Sequence, residues 1–321
     1  MKYALSTVAA VFLLAPSHAS AQDQASAALT QNGIGNLSYI EQHRVTSESL
    51  VTVMQNGNYN RVGDPGSRTG GILQRDTDRM QITFSQQGNG NQAAFGQVSG
   101  DFDVAFVNQT GNGNFAAIQQ DSAYRSVVRI AQNGDRNLID AAGTEIHAFG
   151  FTASQTGSDN VASLTRSWSG FGGPDVTQEG SGNRAAVTQE WADYSFVDIR
   201  QLGMDNQATA SQTNTLFTGN SLIEQSGTGN QAALVASGTD NGSTTTQTGN
   251  GNRASVLQSL NSNLSTIAQT GNANTASITQ SGPTSPAFDT RNTASITQTG
   301  DGFSATITQS GSGNHAAIHQ H

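Results

Sequence analysis

Asn274-Thr-Ala-Ser-Ile-Thr-Gln280 alternates two kinds of side chain with a period of two. A β-strand sends successive side chains to opposite faces. Asn274, Ala276, Ile278 and Gln280 therefore share one face, and Thr275, Ser277 and Thr279 the other. Just upstream stands Gln269-Thr-Gly271-Asn-Ala-Asn274, a box of the form Gln-x-Gly-x-x-Asn. Glycine in its third position takes a positive φ without a Cβ clash, and asparagine tolerates left-handed backbone nearly as well. Box and arm together spell a turn followed by a strand.

The box recurs with its Gln at 31, 55, 86, 109, 132, 155, 178, 201, 225, 247, 269 and 309. Between Gln86 and Gln269 successive boxes stand 22 to 24 residues apart, and a further box at Gln298 has Phe303 where Asn is expected. At the C-terminus the period halves to 11, since Thr299 to Gln309 is followed by the matching Ser310 to Gln320. The longer unit is thus two related arms. One arm aligns an Ala column (Ala93, Ala116, Ala162, Ala185, Ala208) with a bulky column (Phe95, Ile118, Leu164, Val187, Leu234). The other places Val53, Phe84, Val107, Ile130, Val176, Ile199, Ile223 and Ile267 two residues before each box Gln. These are residues that strands favour.

A single strand-turn-strand unit cannot bury such columns, but stacking at about 4.8 Å closes a core between two sheets. The expected fold is all-β: a β-solenoid of stacked strand-turn-strand repeats with two facing parallel sheets. About twelve or thirteen rungs would occupy residues 31–321. The inward amides need partners, because a buried amide without one costs about 1–3 kcal/mol. Stacked in register they can bond to one another, as in cross-β assemblies. The expected ladder comprises Gln86, Asn91, Gln109, Asn114, Gln132, Asn137, Gln155, Asn160, Gln178 and Asn183, continuing through Gln201, Asn206, Gln225, Asn230, Gln247, Asn252, Gln269, Asn274, Gln309 and Asn314. The turn glycines are Gly88, Gly111, Gly134, Gly157, Gly180, Gly203, Gly227, Gly249, Gly271 and Gly311. Proline cannot donate to a ladder, so Pro65, Pro283 and Pro286 should lie in loops, and Pro174, in a unit of normal length, should damage its rung.

Residues 1–21 read as a secretory signal peptide: Lys2, an apolar run from Val8 to Ala15, and the small-x-small site Ala19-Ser20-Ala21. A short segment, residues 22–30, then precedes the first box. No stretch reaches the roughly 18 apolar residues of a membrane helix. Without Lys2 the chain has 13 basic and 23 acidic side chains, a formal charge of −10. That argues against nucleic acid, whose phosphates need clustered Lys and Arg. Charged residues are 12% of the chain, where about 25% is usual. Cysteine is absent, so no disulfide framework is expected. Asp101, Asp103, Asp159, Asp205 and Asp301 stand in or near turns, where their charge would restrain premature association.

These repeats resemble the curlin repeat, Ser-x5-Gln-x-Gly-x2-Asn-x-Ala-x3-Gln. Ser126 to Asn137 and Ser195 to Asn206 match its first part with Ser in place, while other units put Asn241, Gly219 or Asp103 at that position. The resemblance covers about residues 31–320. It implies an exported subunit that leaves through an outer-membrane secretion pore and assembles with itself and other curlin subunits into extracellular, cell-surface curli-like amyloid fibres. It implies a role in adhesion and biofilm matrix. The sequence closes on a complete arm, Asn314 to Gln320, so head-to-tail β-sheet polymerisation is the expected mode of growth.

Neither an enzyme nor a cofactor is expected. His315 and His319 would share a strand face, but side chains four apart are about 13 Å apart, too far for one metal ion. Gly111-Asn-Gly113 lacks the Gly-Lys-Ser/Thr of a phosphate loop. The alternative is a soluble β-solenoid that binds an ordered surface, ice or polysaccharide, through outward Thr275, Thr279, Thr293, Thr297, Thr306 and Thr308. Arg184, Arg253, Gln92 and Phe115 interrupt that array.

Overall fold

The computed structural model describes residues 25–45, 48–63, 71–148, 150–215, 220–284 and 291–321. The expected signal peptide, Pro65 and Pro286 lie outside them. The chain forms two compact units, Met1–Asp159 and Asn160–His321. Every regular element among the described residues is a β-strand, and every strand pair is parallel, so the expected β-solenoid is the fold.

In the first unit, one sheet stacks Ser26–Asn32, Leu50–Asn56, Gln81–Gln87, Val104–Thr110, Val127–Asp135 and Thr152–Ser158 in that order. We call it the Gln sheet, because each strand carries a box Gln near its end. The facing Ala sheet stacks Leu37–Ser38, Arg61–Val62, Gln92–Asp101, Phe115–Tyr124 and Leu138–Ile146, with Ile40–His43 and Ile72–Asp78 beside its earlier strands. The second unit repeats the plan. Its Gln sheet runs from Gly172–Ser181 through Ser195–Met204 to Asn292–Thr299 and His315–Gln320, and its Ala sheet from Val161–Ser169 through Arg184–Glu190 to Ser304–Ser310.

Alternation decides which face each side chain takes. Along Arg253–Ser259 buried and exposed residues alternate strictly up to the last position. Asn274, Ala276, Ile278 and Gln280 are buried, whereas Thr275 is exposed and Ser277 and Thr279 are half-buried. A slip of one residue would turn each such set outward, so register is strongly fixed. Like stands on like: Gln86 pairs with Gln109 and Gln109 with Gln132, while Ala208 pairs with Ala232 and Ala232 with Ala254. Phe84, Phe95 and Phe151 are fully buried in the first unit, and Leu164, Ile199 and Ile223 in the second.

Pro174 does not damage its rung. Gly172–Ser181 stays paired with Ser195–Met204 over ten consecutive residues, Pro174 opposite Val197. In these ladders exposed residues donate their N–H to the following strand, as Gln81 does to Asp103, and buried ones to the preceding strand, as Ile72 does to Tyr39. Pro174 is buried, so its missing donor faces away from Ser195–Met204. Pro283 does lie outside the strands, as expected.

The box glycines all take φ between 101° and 128°. Their second constraint is spatial. A Cβ placed on Gly134 would lie 2.0 Å from the carbonyl oxygen of Gly157, the equivalent glycine of the next turn. Gly90, two residues beyond its box glycine, also has a positive φ of 66°, but a Cβ there meets nothing within 4 Å. Gly134→Ala should therefore destabilise the monomer by more than about 3 kcal/mol, adding a steric clash to left-handed strain. Gly90→Ala should cost only about 1–2 kcal/mol, the strain alone. Guanidinium unfolding of the two variants gives the comparison, and equal losses would remove the close stacking of turns as a cause.

Candidate functional site

Two buried amide columns follow the box. In the first unit the Nε2 of each box Gln donates to the Oε1 of the next, from Gln31 through Gln55, Gln86, Gln109 and Gln132 to Gln155, at 2.6–3.0 Å. In the second unit the series runs from Gln178 through Gln201, Gln225, Gln247 and Gln269 to Gln298 and Gln320, at 2.8–2.9 Å. The other Nε2 hydrogen reaches a main-chain carbonyl across the core, as from Gln109 to Gln92 at 2.9 Å. Both donors and the acceptor of each interior Gln are thus used.

The Asn column runs in the opposite sense. Asn114 donates from Nδ2 to Oδ1 of the preceding Asn91 at 3.1 Å, and from Nδ2 to the Gly134 carbonyl of the following turn at 2.7 Å. Asn137, Asn183, Asn206, Asn230 and Asn252 repeat both bonds. Asn160 accepts from Asn183 and donates to Gly180 at 3.0 Å. Asn274 ends its series: its Oδ1 accepts the main-chain N–H of Phe303 at 2.9 Å.

Gln309 and Asn314 do not belong to these columns. The half-length period at the C-terminus carries the box at Gln309 half a turn further, into the Ala sheet. There Gln258 donates to Gln280 at 3.1 Å and Gln280 to Gln309 at 2.9 Å. Asn314 stacks on Asn292, which stacks on Asn263 and then Asn241, at 2.9–3.1 Å. The C-terminal turns thus carry amide ladders at both bends. The sequence signal for this second set is Gln258-Ser-Leu260-Asn-Ser-Asn263, a box disguised by Leu260 at the glycine position. Leu260 takes a left-handed φ of 61°, where the box glycines take 101–128°.

The second Gln column is incomplete elsewhere. Arg166 occupies it below Gln189 and is fully buried. It donates to the Gly170 carbonyl. Burial lowers its guanidinium to about 10, partly offset by the Asp193 carboxylate. The outward faces are mixed: Val235, Leu257 and Thr279 succeed one another, as do Gln231, Arg253 and Thr275. Among the described residues no group of three or more His, Asp and Glu could hold a metal ion.

Asp103 is not a turn charge. It is completely buried, at the same place six residues before the box Gln as Ser126 and, further on, Asn241. It accepts hydrogen bonds from Gln97 Nε2 and the Ser126 N–H. Burial raises its carboxyl from 3.8 to about 6, opposed by those two bonds. Asp101 pairs with Arg79 at 2.9 Å and Asp159 with Arg136 at 2.7 Å, both partly exposed. The Arg136 hydrogen bond holds Asp159 below the ordinary carboxylate range.

A raised folded-state value means that the fold binds the Asp103 proton more tightly than the unfolded chain does. This contribution favours the fold below pH 4 and is lost as pH rises through 6. Asp103→Asn removes the dependence. Its Oδ1 can keep the Ser126 bond, and its Nδ2 can donate to Gln97 Oε1 once that amide, whose Nε2 now faces Asp103, turns over. The variant should be more stable than the native chain at neutral pH by on the order of 2 kcal/mol, with the gain vanishing below about pH 4. Denaturant midpoints of both proteins across that range provide the check.

Comparison with known proteins agrees with the box and its ladders. The family model of the curlin-associated repeat matches residues 249–282 and again 290–321, where both bends carry amides. No curated protein matches the chain. Residues 249–282 and 290–321 thus carry the curlin-associated repeat.

Proposed function

We propose that the chain is a structural, non-catalytic subunit of extracellular curli-like amyloid fibres, exported through its signal peptide and serving adhesion and biofilm matrix. Copies add head to tail, alone or with other curlin subunits, after passage through an outer-membrane secretion pore. The observation that carries this reading is the in-register Gln ladder that continues to an incompletely covered strand. Ala316, Ile318 and Gln320 are half-buried, whereas their partners Ala294, Ile296 and Gln298 are buried. Unpaired strand edges and unfilled amide ladders are templates for identical segments.

One side chain opposes this addition. A Cβ placed on Gly271 would meet the Gly300 carbonyl of the following turn at 2.0 Å, but one placed on Gly300 would meet the Phe303 ring at 2.8 Å. Phe303 covers the turn and supplies no Oδ1 to the Asn column. In the fibre it weakens the junction between copies and slows growth.

The test is the behaviour of residues 22–321 as purified monomer at micromolar concentration. The expected outcome is thioflavin-T-positive fibres with diffraction near 4.8 Å along the axis and near 10 Å across it. A solution that stays monomeric for days without a thioflavin signal would refute the reading. Phe303→Asn should elongate faster than the native chain in seeded assays, and an unchanged rate would exclude Phe303 from the junction.

A further inference from the structure

The chain contains two tryptophans, and they stand one on the other at a single bend of the second unit. The rings of Trp168 and Trp191 lie 5.0 Å apart and 7° from parallel. Three residues on, Phe171 and Tyr194 stack at 4.9 Å and 23°. Their exposures are 50%, 50%, 44% and 45%, too high for a role in the core.

The fold does not ask for aromatic residues here. The equivalent position in the first unit holds Ser99 and Ser122, and the turn after Trp191 holds Asn214. All these residues take a left-handed φ, between 49° and 55°, and Tyr194 adds another at 52°. Left-handed backbone suits Gly and Asn and is unfavourable for a bulky side chain. Large aromatic side chains on such backbone, left half in water, are not accounted for by packing.

We propose that this aromatic bend binds an uncharged glycan, with one pyranose ring lying on the Trp191 face opposite Trp168. The ring column stops at Trp191, because Asn214 follows it and is exposed. A sugar ring laid there takes the place of a third ring at similar spacing. Its apolar C–H face meets the indole, and its hydroxyls meet the Asn214 amide. Charge selects the ligand further. Glu190 precedes Trp191 in sequence and Asp193 precedes Tyr194, and the chain without residues 1–21 carries −10, so polyanions and acidic lipid surfaces are repelled. A neutral polysaccharide is not.

Because both tryptophans lie at this bend, intrinsic fluorescence reports on it alone. Titrating the monomer with cellohexaose, an uncharged β-linked glucose oligomer, should give a saturable blue shift or quench. Trp191→Ser should weaken binding roughly tenfold, the value of one lost stacking contact. Trp168→Ser should retain binding, with Trp191 as reporter. Serine already occupies this position at Ser99 and Ser122, so both variants should fold, which circular dichroism verifies. Fluorescence that does not respond to cellohexaose, unchanged affinity in Trp191→Ser, or a response only to phosphatidylcholine vesicles would each overturn the assignment. None of these outcomes depends on fibre formation, which thioflavin-T follows separately.

Discussion

Primary amides sealed between two sheets are costly to leave unpaired, and in the box columns this constraint organises the stacking of the chain. Each box Gln is at most 2% exposed from Gln55 to Gln298. Its oxygen and both its hydrogens must find partners that water no longer provides. A single amide among Ala and Ile side chains would be a defect. An amide one turn away, at the same height in its strand, supplies the missing bond. Shifting a turn by one residue turns the whole set outward, and shifting by two replaces amide with methyl. Apolar columns alone would tolerate the second shift, since Ala, Val and Ile are all acceptable to a core. The amides make the register unique, and the apolar columns supply the burial.

This logic also explains why so much of the fold was legible in the sequence. Period-two alternation gave the faces, the box gave the turns, and the repeat interval gave the stacking. Each of these is local or near-periodic, so none depends on long-range packing detail. The twin bends of the C-terminal region were half visible. Their 11-residue period could be read, but which of two sheets each arm joins depends on how many arms precede it. Phasing Gln309 therefore required the structure, and Leu260 hid a box by occupying a glycine position at a φ of 61°.

Other features were illegible for physical reasons that differ case by case. Asp103 looks like a turn aspartate because it follows Gly100 and Asp101, yet it replaces a serine that faces the core. A carboxylate at such a site is tolerated only because Gln97 and the Ser126 N–H bond to it. Pro174 looks like a broken rung because composition does not reveal which neighbour a given N–H addresses. The stacked tryptophans were invisible because a positive φ at the bend is set by the path of the chain between sheets, and tryptophan carries no sequence signal for it.

The two amide columns run in opposite senses, and this gives the solenoid a direction. Every Gln hands its hydrogen to the following turn, as Gln109 does to Gln132, while every Asn oxygen receives from the following turn, as Asn91 does from Asn114. The face toward the C-terminus therefore presents Gln donors beside Asn acceptors, and the face toward the N-terminus presents the reverse. Two like faces brought together with Gln on Gln and Asn on Asn would set donor against donor and acceptor against acceptor. Unlike faces match at both columns. In the proposed fibre this disfavours head-to-head junctions that lay each column on its own kind, before any apolar contact is counted. Buried partners left unpaired cost about 1–3 kcal/mol each. The ladder that fixes register within one chain then also biases the polarity of an assembly of many.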